Sequence, residues 1–190
     1  MKIRKRTVGG LLLLGILSCS CSTPPEPYPP MQMGLGVAQN MSPVGELSKN
    51  LPVRQTFAAP HDGLCGIALF MATYARPNPS NLTIRIMQAE GEKTLKTFQI
   101  DSSKLINNSW LLLPIDSVPG SKEKAFWVDI QGDGEPGNSP TVWMNPQATF
   151  AESRGKLFIN AKESPGSLCF QLYFALKPSE KKTQQQPART

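Results

Sequence analysis

Apolar residues in this chain fall into short groups separated by Pro, Gly, Asn and Ser, and in the clearest groups they alternate with polar ones. Leu82-Thr83-Ile84-Arg85-Ile86 alternates without a break, and Phe170-Gln171-Leu172-Tyr173-Phe174 does so with one aromatic exception. A period of two places one set of side chains on a core and the other towards water, which is the signature of a half-buried strand. Nine strands are expected: 53–57, 63–74, 82–88, 95–100, 109–115, 125–131, 141–145, 156–160 and 167–176. A helical turn fits at 102–107, but no stretch carries three turns of amphipathic helix. Many short strands with turn-rich joins predict an all-β fold, an antiparallel β-sandwich of the jelly-roll kind.

The two ends do not follow this pattern. Lys2, Arg4, Lys5 and Arg6 precede the apolar run Val8 to Leu17. Ten residues of helix rise about 15 Å, half of the roughly 30 Å hydrocarbon core, so the run has the length of an export signal rather than of a membrane span. It ends in Ile16-Leu17-Ser18-Cys19, followed by Ser20 and Cys21. These residues resemble a bacterial lipoprotein signal, with an aliphatic residue three before the cysteine and a small one directly before it. The resemblance implies a signal peptide over 1–18, cleavage after Ser18 and lipidation of Cys19. Cys21 is the alternative acceptor, with a poorer upstream match. By the same resemblance the serine after Cys19 implies the outer membrane of a two-membrane cell, and a lipid bilayer as partner.

Residues 19–52 read as a lipidated terminus and tether, with five prolines between Ser22 and Pro30 that favour an extended, semi-rigid chain. Within it, 31–37 has the alternative of an edge strand. The folded domain is expected over 53–177, and 178–190 reads as a disordered polar tail.

Composition then removes a function class. The formal net charge is +6, and subtracting the four N-terminal cations leaves +2. Residues 53–177 carry 12 Lys/Arg against 11 Asp/Glu. Arg54, Arg76, Arg85 and Arg154 are scattered through a nearly neutral domain, so the connected basic groove of a nucleic-acid binder is not expected.

Gln55-Thr56-Phe57, Asp62-Gly63-Leu64 and Tyr74-Ala75-Arg76-Pro77-Asn78 are followed by Asn107-Asn108-Ser109-Trp110, Pro119-Gly120-Ser121 and Gly137-Asn138-Ser139-Pro140-Thr141-Val142-Trp143. In this order they resemble the galactose-binding-like jelly-roll modules of bacterial envelope proteins and lipoproteins. The resemblance implies a jelly roll over 53–177 and a carbohydrate site at one rim. Tyr74, Arg76, Asn78, Asn108 and Trp110 are its candidate ligand-binding residues, with aromatic faces for sugar C–H groups and polar side chains for hydroxyls. The bland reading of the same residues is strand-end anchoring and turn hydrogen bonds. The resemblance also brings Cys65 and Cys169 near each other, and in an oxidising compartment it implies a disulfide.

Catalytic chemistry is sparse. The chain has one histidine, His61, and no clustered C-x-x-C, G-x-S-x-G, P-loop or dinucleotide fingerprint. Asp129, Asp133 and Glu135 could offer calcium hard oxygen ligands, but their spacing is not that of an EF-hand. Otherwise no cofactor is expected, and the chain reads as a non-enzyme. The expectation is a membrane-anchored envelope lipoprotein recognising a glycan. The alternative is a structural or accessory protein that binds another envelope protein.

Overall fold

The computed structural model describes residues 31–36 and 41–176. Cys19, Cys21, the signal-peptide region, the proline-rich stretch and the tail 178–190 all lie outside the described residues. Thirteen strands appear among those described. They are β1 (Met31–Gly36), β2 (Ser42–Pro43), β3 (Val53–Ala58), β4 (Leu64–Ala72), β5 (Asn81–Gln88), β6 (Lys93–Asp101) and β7 (Ser109–Val118), then β8 (Ala125–Gly132), β9 (Thr141–Asn145), β10 (Leu157–Ile159), β11 (Lys162–Ser164), β12 (Ser167–Leu168) and β13 (Phe170–Ala175). A single helical turn, α1 (Phe150–Ser153), precedes β10.

The strands form two sheets that face each other as an antiparallel sandwich of jelly-roll-like topology, not closed into a barrel. One sheet has six strands in the order β11-β10-β3-β8-β5-β6. The other has seven: β1-β13-β4-β9-β12, with β7 also paired to β4 and β2 to β9. Alternation sets the faces. In β5 Leu82, Ile84 and Ile86 are buried while Arg85 is exposed, and β3 and β8 follow the same rule. Phe57 of β3 stacks on Phe126 of β8 and meets Phe170 of β13, each at 5.8 Å between ring centroids, so aromatic contacts join the two sheets through the core. Polar groups join them as well. Gln55 of β3 is fully buried, and its Oε1 accepts from the Leu168 N–H at 2.9 Å and the Ser167 hydroxyl at 3.2 Å.

Two expectations are corrected, and one alternative is decided. The strand count is thirteen rather than about nine. β1, β2 and β11 are too short or too irregular to show a period, and the expected strand 167–176 divides at Cys169 into β12, paired to β9, and β13, paired to β4. Within the expected tether, the edge-strand alternative is the one the structure shows: β1 pairs with β13, and further on Leu47 is fully buried in the core. The disulfide is absent. Cys65 and Cys169 are both buried free thiols. The β13–β4 register puts Cys169 beside Phe70, whose N–H donates to the Cys169 carbonyl at 3.0 Å. Cys65 is five residues further along β4, about 16 Å at strand rise, whereas a disulfide needs Cα atoms within about 7 Å. Burial pushes the Cys169 thiol up to about 11 and raises Cys65 too, the opposite of an activated nucleophile. His61 packs edge-on against Phe174, 5.2 Å between centroids, and so serves the core margin.

Candidate functional site

The expected rim residues do meet at one end of the sandwich, and most of their polar groups bond within the chain, while Arg76 Nε and Asn78 Oδ1 are buried without a hydrogen-bond partner. Tyr74 and Ala75 hold positive φ in the turn after β4. Asn78 is fully buried, and its Nδ2 donates to the carbonyls of Thr73 and Arg76, both at 3.1 Å, which closes that turn. The Arg76 guanidinium lies 4.8 Å over the Tyr74 ring and donates to Glu46 Oε1 at 2.6 Å. Asn107 Oδ1 accepts from the Thr73 N–H at 2.8 Å, and Asn108 Oδ1 accepts from the Trp143 indole at 3.1 Å. Trp110 packs against Phe70 at 5.0 Å. Burial would raise the Glu46 carboxyl, but hydrogen bonds from Arg76 and the Gly137 N–H, with the Arg76 charge, hold it below its usual value.

The three carboxylates weighed for calcium are engaged separately. Arg54 grips Asp129 with two bonds, at 2.5 and 3.0 Å. Asp133 accepts from the Asn81 backbone and side chain at 2.6 and 3.0 Å, which lowers its pKa, and Glu135 pairs with Lys49. Among the described residues no three metal-ligating side chains cluster.

Two other surfaces stand out, one on each outer sheet face. The six-stranded sheet carries an open groove of about 560 Å³. The strand register lines up Phe158, Arg54, Asp129 and Arg85 as one row across β10, β3, β8 and β5, with Trp127 in the next row. The Arg54 guanidinium sits 4.6 Å over the Trp127 ring. Arg85 has no carboxylate partner among the described residues, and the buried Trp127 indole N–H has no acceptor. The groove therefore combines aromatic walls with hydrogen-bond donors in excess.

The outer face of the seven-stranded sheet has the opposite character. One row runs Met33, Tyr173, Gly66, Pro114 across β1, β13, β4 and β7; the next runs Gln171, Ala68, Leu112; Phe70 and Trp110 form a third. None of these residues is charged. Met33 is 59% exposed and Leu112 37%, while Gly66 and Ala68 are buried beneath their larger neighbours. The Tyr173 hydroxyl is already satisfied by Gln171 Oε1 at 2.9 Å. The result is a patch whose own side chains carry no charge, with Lys96 Nζ donating to the Pro114 carbonyl at its margin, at 2.9 Å. Sequence reasoning missed both surfaces, because each is assembled by register between strands far apart in the chain.

No protein-family model matches the chain, and no curated protein does. Among solved structures, it is similar to T=1 particles derived from infectious bursal virus, at 12% identity and a TM-score of 0.34, covering 79% of this chain and 41% of that one. A second is the VP2 subviral particle of infectious bursal disease virus, at 13% identity and a TM-score of 0.25, covering 77% and 37%. The chain thus spans about two fifths of the length of these viral proteins. The expected resemblance to a bacterial lipoprotein with a galactose-binding-like module has no support in these comparisons: no family model or curated protein matches, and the solved structures named here are viral particles. The membrane-anchored envelope lipoprotein, its bilayer and glycan partners and its envelope location are withdrawn with it. Among the described residues no helix is long and apolar enough to cross a membrane.

Proposed function

We propose that the chain is a non-enzymatic structural or accessory protein, a jelly-roll sandwich that binds another protein through the outer face of its seven-stranded sheet. The observation that carries this reading is the set of rows from Met33 to Leu112, which hold no charged side chain and expose two large apolar ones. A core depleted of charge is what separates protein interfaces from ordinary surface, and a partner on this face would cover the exposed Met33 and Leu112 side chains. At the rim, Arg76, Asn78 and Asn108 each bond to other groups of the chain, and the atoms left over, Arg76 Nε and Asn78 Oδ1, are buried.

The reading is tested by Leu112→Asp in the full chain. Leu112 is partly exposed on a strand whose inward contacts come from its neighbours, so the variant is expected to keep its thermal midpoint within a few degrees. A charge left unpaired in an interface core costs several kcal/mol, so a complex isolated with the wild-type chain from its native cells should be lost with the variant. A complex that survives Leu112→Asp unchanged would contradict the assignment of this face.

A further inference from the structure

We propose that the end of the sandwich beneath the turn after β4 is a binding site for buried water, one or two molecules held by Asn78, Ser80 and Ser102. Four polar atoms there are buried without a hydrogen-bond partner among the described residues: Arg76 Nε, Asn78 Oδ1, Ser80 Oγ and Ser102 Oγ. Asn78, Ser80 and Ser102 are each more than nine-tenths buried.

Strand register brings them together. Asn81 of β5 faces Asp101 of β6, and one step further Ser80 stands opposite Ser102, whose N–H donates to the Ser80 carbonyl at 2.9 Å. Leu82 is turned into the core, and Ser80, two residues before it and also buried, lies on the same face. Opposed residues of an antiparallel pair have Cβ atoms about 5 Å apart, so one bridging molecule can reach both hydroxyls. The Ser80 N–H also donates to the Asn78 carbonyl at 2.8 Å, which folds the chain tightly about Pro79 and brings Asn78 to the same corner. Asn78 Nδ2 is spent on the carbonyls of Thr73 and Arg76, so Oδ1 is the end of the amide left to bind. The next inward pair is Leu82 and Ile100. Two serines opposite each other leave space that side chains of that size would take.

The chemistry of the four atoms selects the occupant. Asn78 Oδ1 only accepts, Arg76 Nε only donates, and the serine hydroxyls do either. A cation would meet the Arg76 guanidinium at the border of the site. An anion would meet Asn78 Oδ1, and the Arg76 charge is already taken by Glu46. Water donates and accepts at once, and a buried water makes about three hydrogen bonds, which matches this mixed set. Leaving all four atoms unbonded would forfeit the hydration of each, a cost that folded chains almost always avoid. Ser139 shows the contrast. A Cβ on Gly134 would meet both the Ser80 and the Ser139 hydroxyl, so Ser139 borders the site, yet its own hydroxyl donates to the Glu135 carbonyl at 3.2 Å.

Oxygen-17 relaxation dispersion tests this on the full chain, because it counts long-lived water and is blind to the exchange of hydroxyl hydrogens. The wild-type chain is expected to show a dispersion whose amplitude falls by one or two water molecules in the double variant Ser80→Ala/Ser102→Ala. The thermal midpoint should fall with it, since the hydroxyls removed were bonded. An unchanged amplitude would overturn the proposal. So would a midpoint that rises, because methyl groups that replace unhydrated hydroxyls relieve buried polar atoms instead of breaking bonds. A crystal structure of the wild-type chain decides the matter even if the variant fails to fold. Density bridging Asn78 Oδ1 to a serine hydroxyl is the expected result, and a direct bond between the Ser80 and Ser102 hydroxyls that closes the space would overturn the site.

Discussion

At the scale of single residues, a few side chains hold the two sheets in register. Gln55 is the clearest. It occupies an inward position of β3 where the alternation calls for an apolar residue, and its buried amide carries the Leu168 N–H. Gln55→Leu removes the acceptor and strands a buried donor, which should lower unfolding free energy by about 1–3 kcal/mol in a urea titration. Gly132 acts by absence of a side chain: a Cβ there would overlap the Leu47 carbonyl, so Gly132→Ala should cost about 3 kcal/mol or more by the same measurement. The cysteines yield a third expectation. With no bond between Cys65 and Cys169, adding reductant should leave the thermal midpoint unchanged, and both thiols should alkylate in the denatured, unreduced chain. A midpoint that falls on reduction would contradict the register on which the free thiols rest.

At the scale of elements, the strands with five or more residues and one wet face were legible from the sequence, because Leu82 to Ile86 and Phe170 to Phe174 alternate as the pleat demands. β4 was found by its apolar run, which lacks alternation because its outer face is covered too. β1, β2 and β11 were not legible as settled strands, since two, three or an interrupted six residues have no period to read. The candidate rim shows the same limit from another side. Tyr74 to Asn78 announce a turn, but nothing in the sequence says that Arg76 meets Glu46, thirty residues earlier. That contact makes the 41–52 strap sensitive to acid. The folded Glu46 pKa is lowered, so its stabilisation is present above the unfolded value near 4.5 and is lost as pH falls through the lower folded value. Glu46→Gln should therefore be less stable than wild type at neutral pH, with the difference narrowing below about pH 4 in paired thermal melts.

At the scale of the whole molecule, the two outer faces differ in character. One sheet presents a groove with donors in excess; the other presents rows of uncharged side chains from Met33 to Leu112. Neither was visible in the sequence. Phe158, Arg54, Asp129 and Arg85 become neighbours only through three strand pairings, and Met33, Tyr173, Gly66 and Pro114 through three more. The expected glycan rim was legible as a set of loops, but the expectation assumed free side chains where the fold uses them to close turns. The central claim is that the charge-free face meets another protein, and site-specific photocrosslinking in the native cell tests it most directly. A photoreactive residue at position 112 should yield a discrete crosslinked species heavier than the chain, while one at Thr97, on the edge strand of the opposite sheet, should not. Equal labelling from both positions, or none from position 112, would contradict the account.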